Sequence, residues 1–306
     1  MIQQLEPDLF LIDHELQGVP RTIASYLLTD GDDLTLIEAG PATTMETLLG
    51  GVRAAGFDPE RITRLIVTHI HLDHAGAAGA LLQRLPRARL FVHRVGAPHM
   101  ADPSRLLASA TKIFEEDMER LWGKVLPVPE ERMVILDDEA KIRVGNRVLK
   151  ALHTPGHAPH HLAYCDLESG AIFAGDVAAV RLDDSAYLRP PTLPPEVDIE
   201  LWRQSIARLR ALRPRRLYLT HFGPINDLEW HFDSVLTRLF FLTGWVEARL
   251  TAEPDIKVLA DEWFRKEAEE VVATTGKEDL VEPYELVVGS RMNVEGLARY
   301  LRKKRG

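Results

Sequence analysis

The chain has 306 residues, 45% of them hydrophobic, and a formal net charge of −9. These values allow one large domain, or one domain with an appendage, around a sizeable core. The acidic balance argues against a nucleic-acid partner, because affinity for a phosphate backbone comes mainly from clustered Lys and Arg. It favours a small-molecule substrate. The first residues lack a secretory-signal pattern and no run of about 18 apolar residues occurs, so we expect a cytoplasmic protein with no membrane partner.

Short β-rich runs open the chain and indicate a meander of strands. They are DLFLID, ASYLLTD and LTLIEAG, with turn-forming residues at 30–33 between the last two. A helix is predicted at 43–55, and the apolar run 65–67 then leads through the polar cluster THIHLDH into a small-residue helix at 75–85. The cluster is therefore expected in a loop between a strand and a helix. A mostly helical stretch at 105–122 is an insertion that could line a pocket.

From residue 133 to residue 176 the pattern returns to short strands: MVIL, KIRV, RVLKAL, HLAYCD and AIFAGD. The single cysteine, Cys165, lies in one of them and is predicted to pack as a small hydrophobe. The Pro-rich segment 183–197 predicts an extended ordered loop, followed by a helix at 200–212 and the strand RLYLTH.

The sequence becomes mainly helical after Pro224, at about 227–251, 256–275 and 293–302. We therefore predict a catalytic domain at residues 1–225 and a helical extension at 226–306. The leading interpretation is that the extension packs against the rest of the chain. A substrate lid and a homodimer contact are the alternatives. The closing basic run, residues 299–305, is explained by the favourable interaction of cations with a helix C-terminus.

Four ligand-type side chains within six residues carry the strongest chemical signal. His69, His71, Asp73 and His74 supply imidazole nitrogens and a carboxylate, which are usual ligands of borderline divalent cations. At an extended strand end His69 and His71 point to the same side, and the turn that follows brings Asp73 and His74 beside a second, nearby position. Two adjacent metal ions are therefore geometrically reasonable.

Three later strands also end in a ligand-type residue. They lead to His157 in TPGH, Asp176 in AGD and His221 in TH, and each residue follows an apolar run, which places it at a sheet edge. Any one of these residues alone is more typical of a structural role. All seven together favour a metal centre over a set of structural histidines.

The order HxHxDH, TPGH, GD and TH over residues 69–221 resembles the metallo-β-lactamase superfamily. The resemblance covers about residues 5–225 and implies an α/β (α+β) fold, a four-layer αββα sandwich with the metals at one edge between the two sheets. It implies two divalent cations, zinc first, with iron or manganese as alternatives. The ligands it implies are His69, His71 and His157 on the first ion, Asp73, His74 and His221 on the second, and Asp176 bridging both.

A water shared by two divalent cations has its pKa lowered to about 7, so a bridging hydroxide is the expected nucleophile, and Asp73 could pass a proton to the leaving group. The TPGH, AGD and TH pattern is similar to the glyoxalase II and N-acyl-homoserine lactonase branches, whose substrates are thioesters and lactones. Ester, thioester or lactone hydrolysis is the leading hypothesis. The alternatives are a small phosphodiesterase and a non-catalytic, metal-stabilised binding protein. The histidine loop and GAPH segment also resemble uncharacterised prokaryotic members.

Residues outside the ligand pattern have predicted roles as well. His160 and His161 follow the TPGH loop and are expected to line the site. Tyr187 and Arg189 are, with His160, the candidates for substrate contact, because they are the nearest substitutes for a tyrosine that lactonases carry after the GD motif. Glu38 stands where many relatives have Asp and is the candidate to orient a ligand imidazole. The remaining histidines are predicted to be structural or solvated: His14, His93, His99, His153 and His231.

Overall fold

Two sheets form the centre of the computed structural model, which describes residues 1–31, 33–250 and 255–305. The first has seven strands in spatial order: β1 (Ile2–Glu6), β2 (Leu9–Asp13), β3 (Ala24–Asp30), β4 (Asp33–Ile37), β5 (Ile62–Ile66), β6 (Arg89–His93) and β7 (Met133–Leu136). The second has six, in the order β13-β12-β11-β10-β9-β8: β8 (Lys141–Val144), β9 (Arg147–His153), β10 (Leu162–Asp166), β11 (Ala171–Phe173), β12 (Arg216–Leu219) and β13 (Gly223–Ile225).

Strand direction brings distant loops to one edge of the sandwich. In the first sheet β1 to β4 are antiparallel and β4 to β7 are parallel. In the second sheet β9 and β11 are each antiparallel to β10, and β11 is parallel to β12. The carboxyl ends of β9, β11 and β12 therefore lie at the same edge, where the loops after them can meet.

Helices lie outside both sheets. Those after the first strands are α1 (Met45–Ala54), α2 (Leu72–Ala75), α3 (Ala78–Arg84), α4 (Ala97–Ala101), α5 (Ser104–Phe114) and α6 (Met118–Trp122). The later ones are α7 (Ile199–Ala211), α8 (Leu228–Arg249), α9 (Ile256–Thr275), α10 (Val281–Val287) and α11 (Ser290–Arg305). Within the described ranges, no helix combines the length and the apolar character needed to cross a membrane.

Three buried apolar layers hold the sandwich together. The middle layer lies between the two sheets and includes Tyr26, Tyr164 and Phe173, each of which contributes roughly 1.5–3 kcal/mol by burial. An outer layer packs α1, α3 and α4 on the first sheet, and another packs helices on the second sheet. The predicted four-layer αββα sandwich is confirmed.

The helical extension shares the outer core of the second sheet. Phe232 and Leu239 of α8, Trp263 of α9 and Leu297 of α11 are buried in one cluster with Trp202 of α7. The division at residue 225 stays a prediction, although β13 ends there and α8 begins three residues later. Helices α4 and α10 and strands β1 and β13 were not predicted. Residue 32 of the predicted turn and residue 251 of a predicted helix lie outside the described residues.

Candidate metal centre

The seven predicted ligands meet at the edge of the sandwich where strands of both sheets end. His69 follows β5, and α2 begins directly after His71 and contains Asp73 and His74. The remaining ligands follow three strands of the second sheet: His157 after β9, Asp176 in a 3-10 turn at Gly175–Ala178 after β11, and His221 after β12. The fold thus brings together side chains up to about 150 positions apart in the chain.

Three imidazoles form the first cluster. The Nε2 atom of His69 lies 2.9 Å from Nδ1 of His71 and 3.2 Å from Nε2 of His157. Nε2 of His157 is 2.9 Å from Nδ1 of His71. The three nitrogen atoms therefore form a nearly equilateral triangle around a common position.

Two carboxylates and two imidazoles form the second cluster. Asp73 Oδ2 is 3.2 Å from His221 Nε2 and 3.5 Å from His74 Nε2. Asp176 Oδ1 is 3.1 Å from His74 Nε2, whereas its other oxygen, Oδ2, is 3.4 Å from His157 Nε2 in the first cluster. Asp176 consequently faces both clusters, one oxygen toward each.

Polar partners behind the imidazoles fix their tautomers. A carbonyl can only accept a hydrogen bond, so an Nδ1 that contacts one must carry the proton and leave Nε2 free as a ligand atom. His157 Nδ1 donates to the Pro191 carbonyl at 2.7 Å, and His221 Nδ1 donates to the Thr22 carbonyl at 2.7 Å. His69 Nδ1 lies 3.1 Å from the Thr68 hydroxyl, which donates its own proton to a Glu38 carboxylate oxygen and can therefore accept from Nδ1.

Glu38 supplies the fourth such partner, as the sequence predicted. Its Oε1 lies 3.1 Å from Nδ1 of His74 and accepts hydrogen bonds from the hydroxyls of Thr68 at 2.5 Å and Thr220 at 3.1 Å. Glu38 is buried and adopts a φ of 69°, in the left-handed region that non-glycine residues rarely occupy. These contacts hold an unfavourable backbone conformation in place at the site.

Burial and charge set the protonation of the centre. Burial lowers the pKa of His71 to about 3 and that of His69 well below its ordinary value, so both imidazoles are neutral and can donate lone pairs. Burial also opposes charge on His74, but the nearby carboxylates, Asp176 first, raise its pKa well above the ordinary value. Burial opposes ionisation of Asp176 as well, yet the surrounding imidazoles lower its pKa well below the ordinary value.

The donor set fits two divalent cations. Tetrahedral zinc with Zn–N bonds of about 2.0–2.1 Å places its nitrogen ligands about 3.3 Å apart, close to the separations in the first cluster. In each cluster the ligand atoms lie within 4.8 Å of one another. Asp176 Oδ1 is buried and accepts no hydrogen bond from the described residues, which suits an oxygen that binds a cation. The two clusters are therefore able to bind metal ions, and the choice of zinc, iron or manganese stays a prediction.

His161 has a role that the sequence analysis missed. Its ring is fully buried, and Nε2 accepts hydrogen bonds from the backbone N–H groups of Asp176 at 3.1 Å and Val177 at 3.4 Å. Its Nδ1 lies 2.8 Å from the hydroxyl of Thr154. His161 therefore supports the turn that carries Asp176 and does not line the cavity described next. Its position directly after His160 was the only sequence signal.

A cavity of about 270 Å³ opens on the metal centre. Four ligands lie in its wall together with His160: His71, Asp73, Asp176 and His221. The predicted helical insertion contributes through α5, and the extension contributes through α10 and α11. His99, predicted to be structural or solvated, also lines this cavity because α4 ends beside it.

The structure places Tyr187 and Arg189 elsewhere than predicted. Both are buried outside the cavity wall, where the Tyr187 hydroxyl contacts Glu267 at 3.2 Å and the Arg189 guanidinium is 3.1 Å from the same carboxylate. Arg189 also donates to the Val288 carbonyl at 2.8 Å. These residues join the loop after Asp176 to the extension. Their sequence position near the GD motif could not show that the loop turns toward α9 and α10.

The other histidines have structural contacts. His14 lies 2.7 Å from the Thr44 hydroxyl, His231 donates to the Ala178 carbonyl at 2.7 Å, and the rings of His93 and His153 stack at 4.6 Å. Burial raises the pKa of the Cys165 thiol, which packs at the margin of the outer core of the second sheet. None of these side chains lines the cavity at the metal centre.

An αββα sandwich with two clusters of histidine and aspartate at one sheet edge defines a class of protein in which these clusters are able to bind metal ions. The chain belongs to the metallo-β-lactamase superfamily, because the model of that superfamily matches residues 18–221. Members of this superfamily are metal-dependent hydrolases.

The individual relatives share less than 30% sequence identity with this chain over the matched regions given below. A metallo-β-lactamase fold-containing protein of Sulfurisphaera tokodaii is 24% identical over 254 residues, which cover 81% of this chain and 88% of that protein. A hydroxyacylglutathione hydrolase of a Synechococcus species is 29% identical over 151 residues, 49% of this chain and 47% of that protein. The structure of a metallo-β-lactamase family protein from Thermus thermophilus superposes with a TM-score of 0.73 at 22% identity, covering 99% of this chain and 95% of that one, and this likeness shows the fold.

Proposed function

We propose that this protein hydrolyses the carbonyl group of an ester, thioester or lactone at a pair of divalent cations, with zinc as the first candidate. One observation carries the proposal: the two ligand clusters face the same carboxylate, Asp176, and both contribute ligands to the wall of one cavity. A structural zinc site is usually closed by four protein ligands, whereas a catalytic site leaves a coordination position open. A cavity that reaches the ligands favours the catalytic alternative.

Bound divalent cations would polarise the substrate carbonyl and lower the pKa of water to about 7. The proton transfer would be carried out by a side chain of the protein. Asp73 Oδ2 lies in the cavity wall, 3.2 Å from His221, where a carboxylate can take a proton from the attacking water and pass it to the leaving group. The C–O bond to water forms, the C–S or C–O bond to the leaving group breaks, and the products are a carboxylic acid and a thiol or alcohol.

The relatives support this reaction class. One of them is a hydroxyacylglutathione hydrolase, and an acylglutathione is a thioester. The match spans about half of that protein, and it supports hydrolysis at a carbonyl group. The acidic net charge of this chain also favours a small substrate over a nucleic acid.

The test combines metal analysis with a substrate panel. We expect elemental mass spectrometry to find about two metal ions per chain and activity on a thioester, carboxylic ester or lactone that is lost on chelation and restored by metal. His157→Ala should lose metal and activity together. His153→Ala is the matched control, because His153 ends the same strand but stacks on His93 away from both clusters.

Two results would contradict the proposal. One is a fully metal-loaded protein that cleaves only phosphodiesters or nothing in the panel. The other is ester or thioester hydrolysis that persists unchanged in His157→Ala, because the reaction would then take place without the first cluster.

A further inference from the structure

Apolar residues from three separate parts of the chain form much of the wall of the cavity at the metal centre. Leu106, Ala110 and Ile113 belong to α5, and Leu286 and Val287 to α10. Pro191 and residues 193–195, which include two more prolines, form the third group. Apart from the ligands and His160, the wall near the centre therefore presents mainly hydrocarbon.

The charged side chains of the lining lie on its solvent side. Arg105 and Glu196 are both exposed, whereas Ala110, Trp122 and Val288 are buried. The cavity consequently has a polar mouth and an apolar interior that reaches the metal ligands. Trp122 Nε1 and His160 Nδ1 are buried there without a hydrogen-bond partner among the described residues, so the interior offers hydrogen bonds to a polar atom. Outside the ligand set, the described lining has no buried carboxylate, ammonium or guanidinium group that could neutralise a charge, so burying a charged group there is unfavourable.

Contacts between the walls give the cavity a fixed shape. Leu286 of α10 packs into the same buried cluster as Leu72, which stands between the ligands His71 and Asp73. The Phe114 and Trp122 rings meet edge to face at 5.0 Å in this cluster. Outside the lining, Arg291 of α11 pairs with Glu115 at 3.6 Å. The insertion and the extension therefore meet over the centre.

We propose that this cavity binds an unbranched, uncharged acyl chain of medium length, with the chain along α5 and α10 and its carbonyl at the metal centre. This inference rests on the proposed function and narrows its substrate class. The volume of about 270 Å³ is near the lower end of the roughly 300–1,000 Å³ found for small-molecule sites. A cavity of this size suits an acyl chain of moderate length, and the chain-length series below measures how many carbons it accepts.

Binding of reaction products tests the cavity without turnover. Acetate, butyrate, hexanoate and octanoate would be titrated into the metal-loaded protein by calorimetry. Each buried methylene is expected to tighten binding by up to about fourfold, and octanoate should bind at least about 100-fold more tightly than acetate. Equal affinity for acetate and octanoate would overturn the inference.

Variants on one helix locate the chain. Ser109 lines the cavity from α5, and Ala108 is its exposed neighbour outside the lining. Ser109→Phe should weaken octanoate binding by at least about tenfold relative to acetate, because the ring fills space that the chain needs. Ala108→Phe adds the same ring on the outer face and should leave the ratio unchanged. If Ser109→Phe does not fold, Val287→Phe serves as the test variant instead, because it narrows the cavity from the α10 side.

Two ester series separate this inference from the proposed function. Acyl chains from acetyl to octanoyl on one leaving group should show kcat/KM rising with length, whereas acetates of butanol to octanol should not. The reverse pattern would place the leaving group in the cavity and overturn the acyl assignment. Strong octanoate binding with no hydrolysis in either ester series, nor of the matching octanoyl thioester and lactone, would uphold the cavity and refute the proposed function.

Discussion

Replacing Glu38 with glutamine tests whether the metal centre depends on support from behind its ligands. The Glu38 carboxylate meets four donors: the Thr68 amide and hydroxyl, the Thr220 hydroxyl and Nδ1 of His74. Glutamine offers one carbonyl oxygen and one NH2 group in the same volume. Because the NH2 group can only donate, its least disruptive position is that of Oε2, where it faces the Thr68 amide. Nδ1 of His74 then contacts a neutral carbonyl oxygen, which is a weaker acceptor than a carboxylate, so His74 loses part of its support.

The expected loss of metal affinity follows from the type of contact that the substitution removes. A hydrogen bond to a charged group contributes about 1.5–3 kcal/mol, and substitution of an outer partner of a metal ligand costs about 10–100-fold in metal affinity, or about 1.4–2.7 kcal/mol. We therefore expect Glu38→Gln to weaken binding at the second cluster by 10–100-fold, measured by competition with a chromophoric chelator. Glu38→Asp keeps a carboxylate and should retain part of the affinity.

Glu46→Gln provides the matched control, because the Glu46 side chain is 68% exposed and pairs only with Arg84 among the described residues. It should bind metal like the parent protein. Parent-like metal affinity in Glu38→Gln, with the protein folded, would refute the reasoning, since His74 would then hold its position without the carboxylate.

Three further predictions concern the bridge, the metals and the extension. Asp176→Asn should lower the amount of bound metal and reduce hydrolysis by more than roughly tenfold. His160→Ala changes a residue of the cavity wall that is not a predicted ligand, so it should keep its metal. Elemental analysis of both variants measures the metal content. Chelation should lower the melting temperature, because metal at 100 times its Kd stabilises the fold by about 2.7 kcal/mol; an unchanged melting curve would contradict tight binding. Arg189→Met should cost about 3–5 kcal/mol in urea unfolding, because the buried Glu267 loses a partner, whereas Arg203→Met, at an exposed pair, should cause little change.

The arrangement of the seven ligand-type residues could be predicted because each belongs to a short motif at a strand end. Their spacing along the chain determines which side chains point the same way, and parallel strands bring their carboxyl ends to one edge. Glu38, which follows β4 and lies next to β5 in the sheet, was identified differently, because it stands where many members of the resembled family have Asp. Local sequence placed the ligand-type residues at strand ends, whereas the family resemblance supplied their division between two clusters and pointed to Glu38.

The positions of the Tyr187 and Arg189 side chains could not be predicted in this way. They lie in an irregular loop, and no periodicity indicates which side of the loop faces the cavity. Their position is decided by Glu267, about 80 positions later, and by the carbonyl of Val288. Helix α10 was missed for a similar reason. It has seven residues, too few to be stable alone, so contacts rather than helix propensity determine that it forms.

The contacts of α10, which was not predicted, join it to the loop that follows the predicted ligand Asp176. The Tyr284 hydroxyl accepts from the Leu182 amide at 3.0 Å and donates to the Tyr187 carbonyl at 3.2 Å, so α10 is fixed to the loop that follows Asp176. The same helix presents Leu286 and Val287 to the cavity. The ligand side chains come from local motifs, but the apolar wall opposite them depends on contacts across about 100 residues. A sequence of this kind therefore predicts the reaction class before the substrate, because the substrate is selected by surfaces that exist only once the chain has folded.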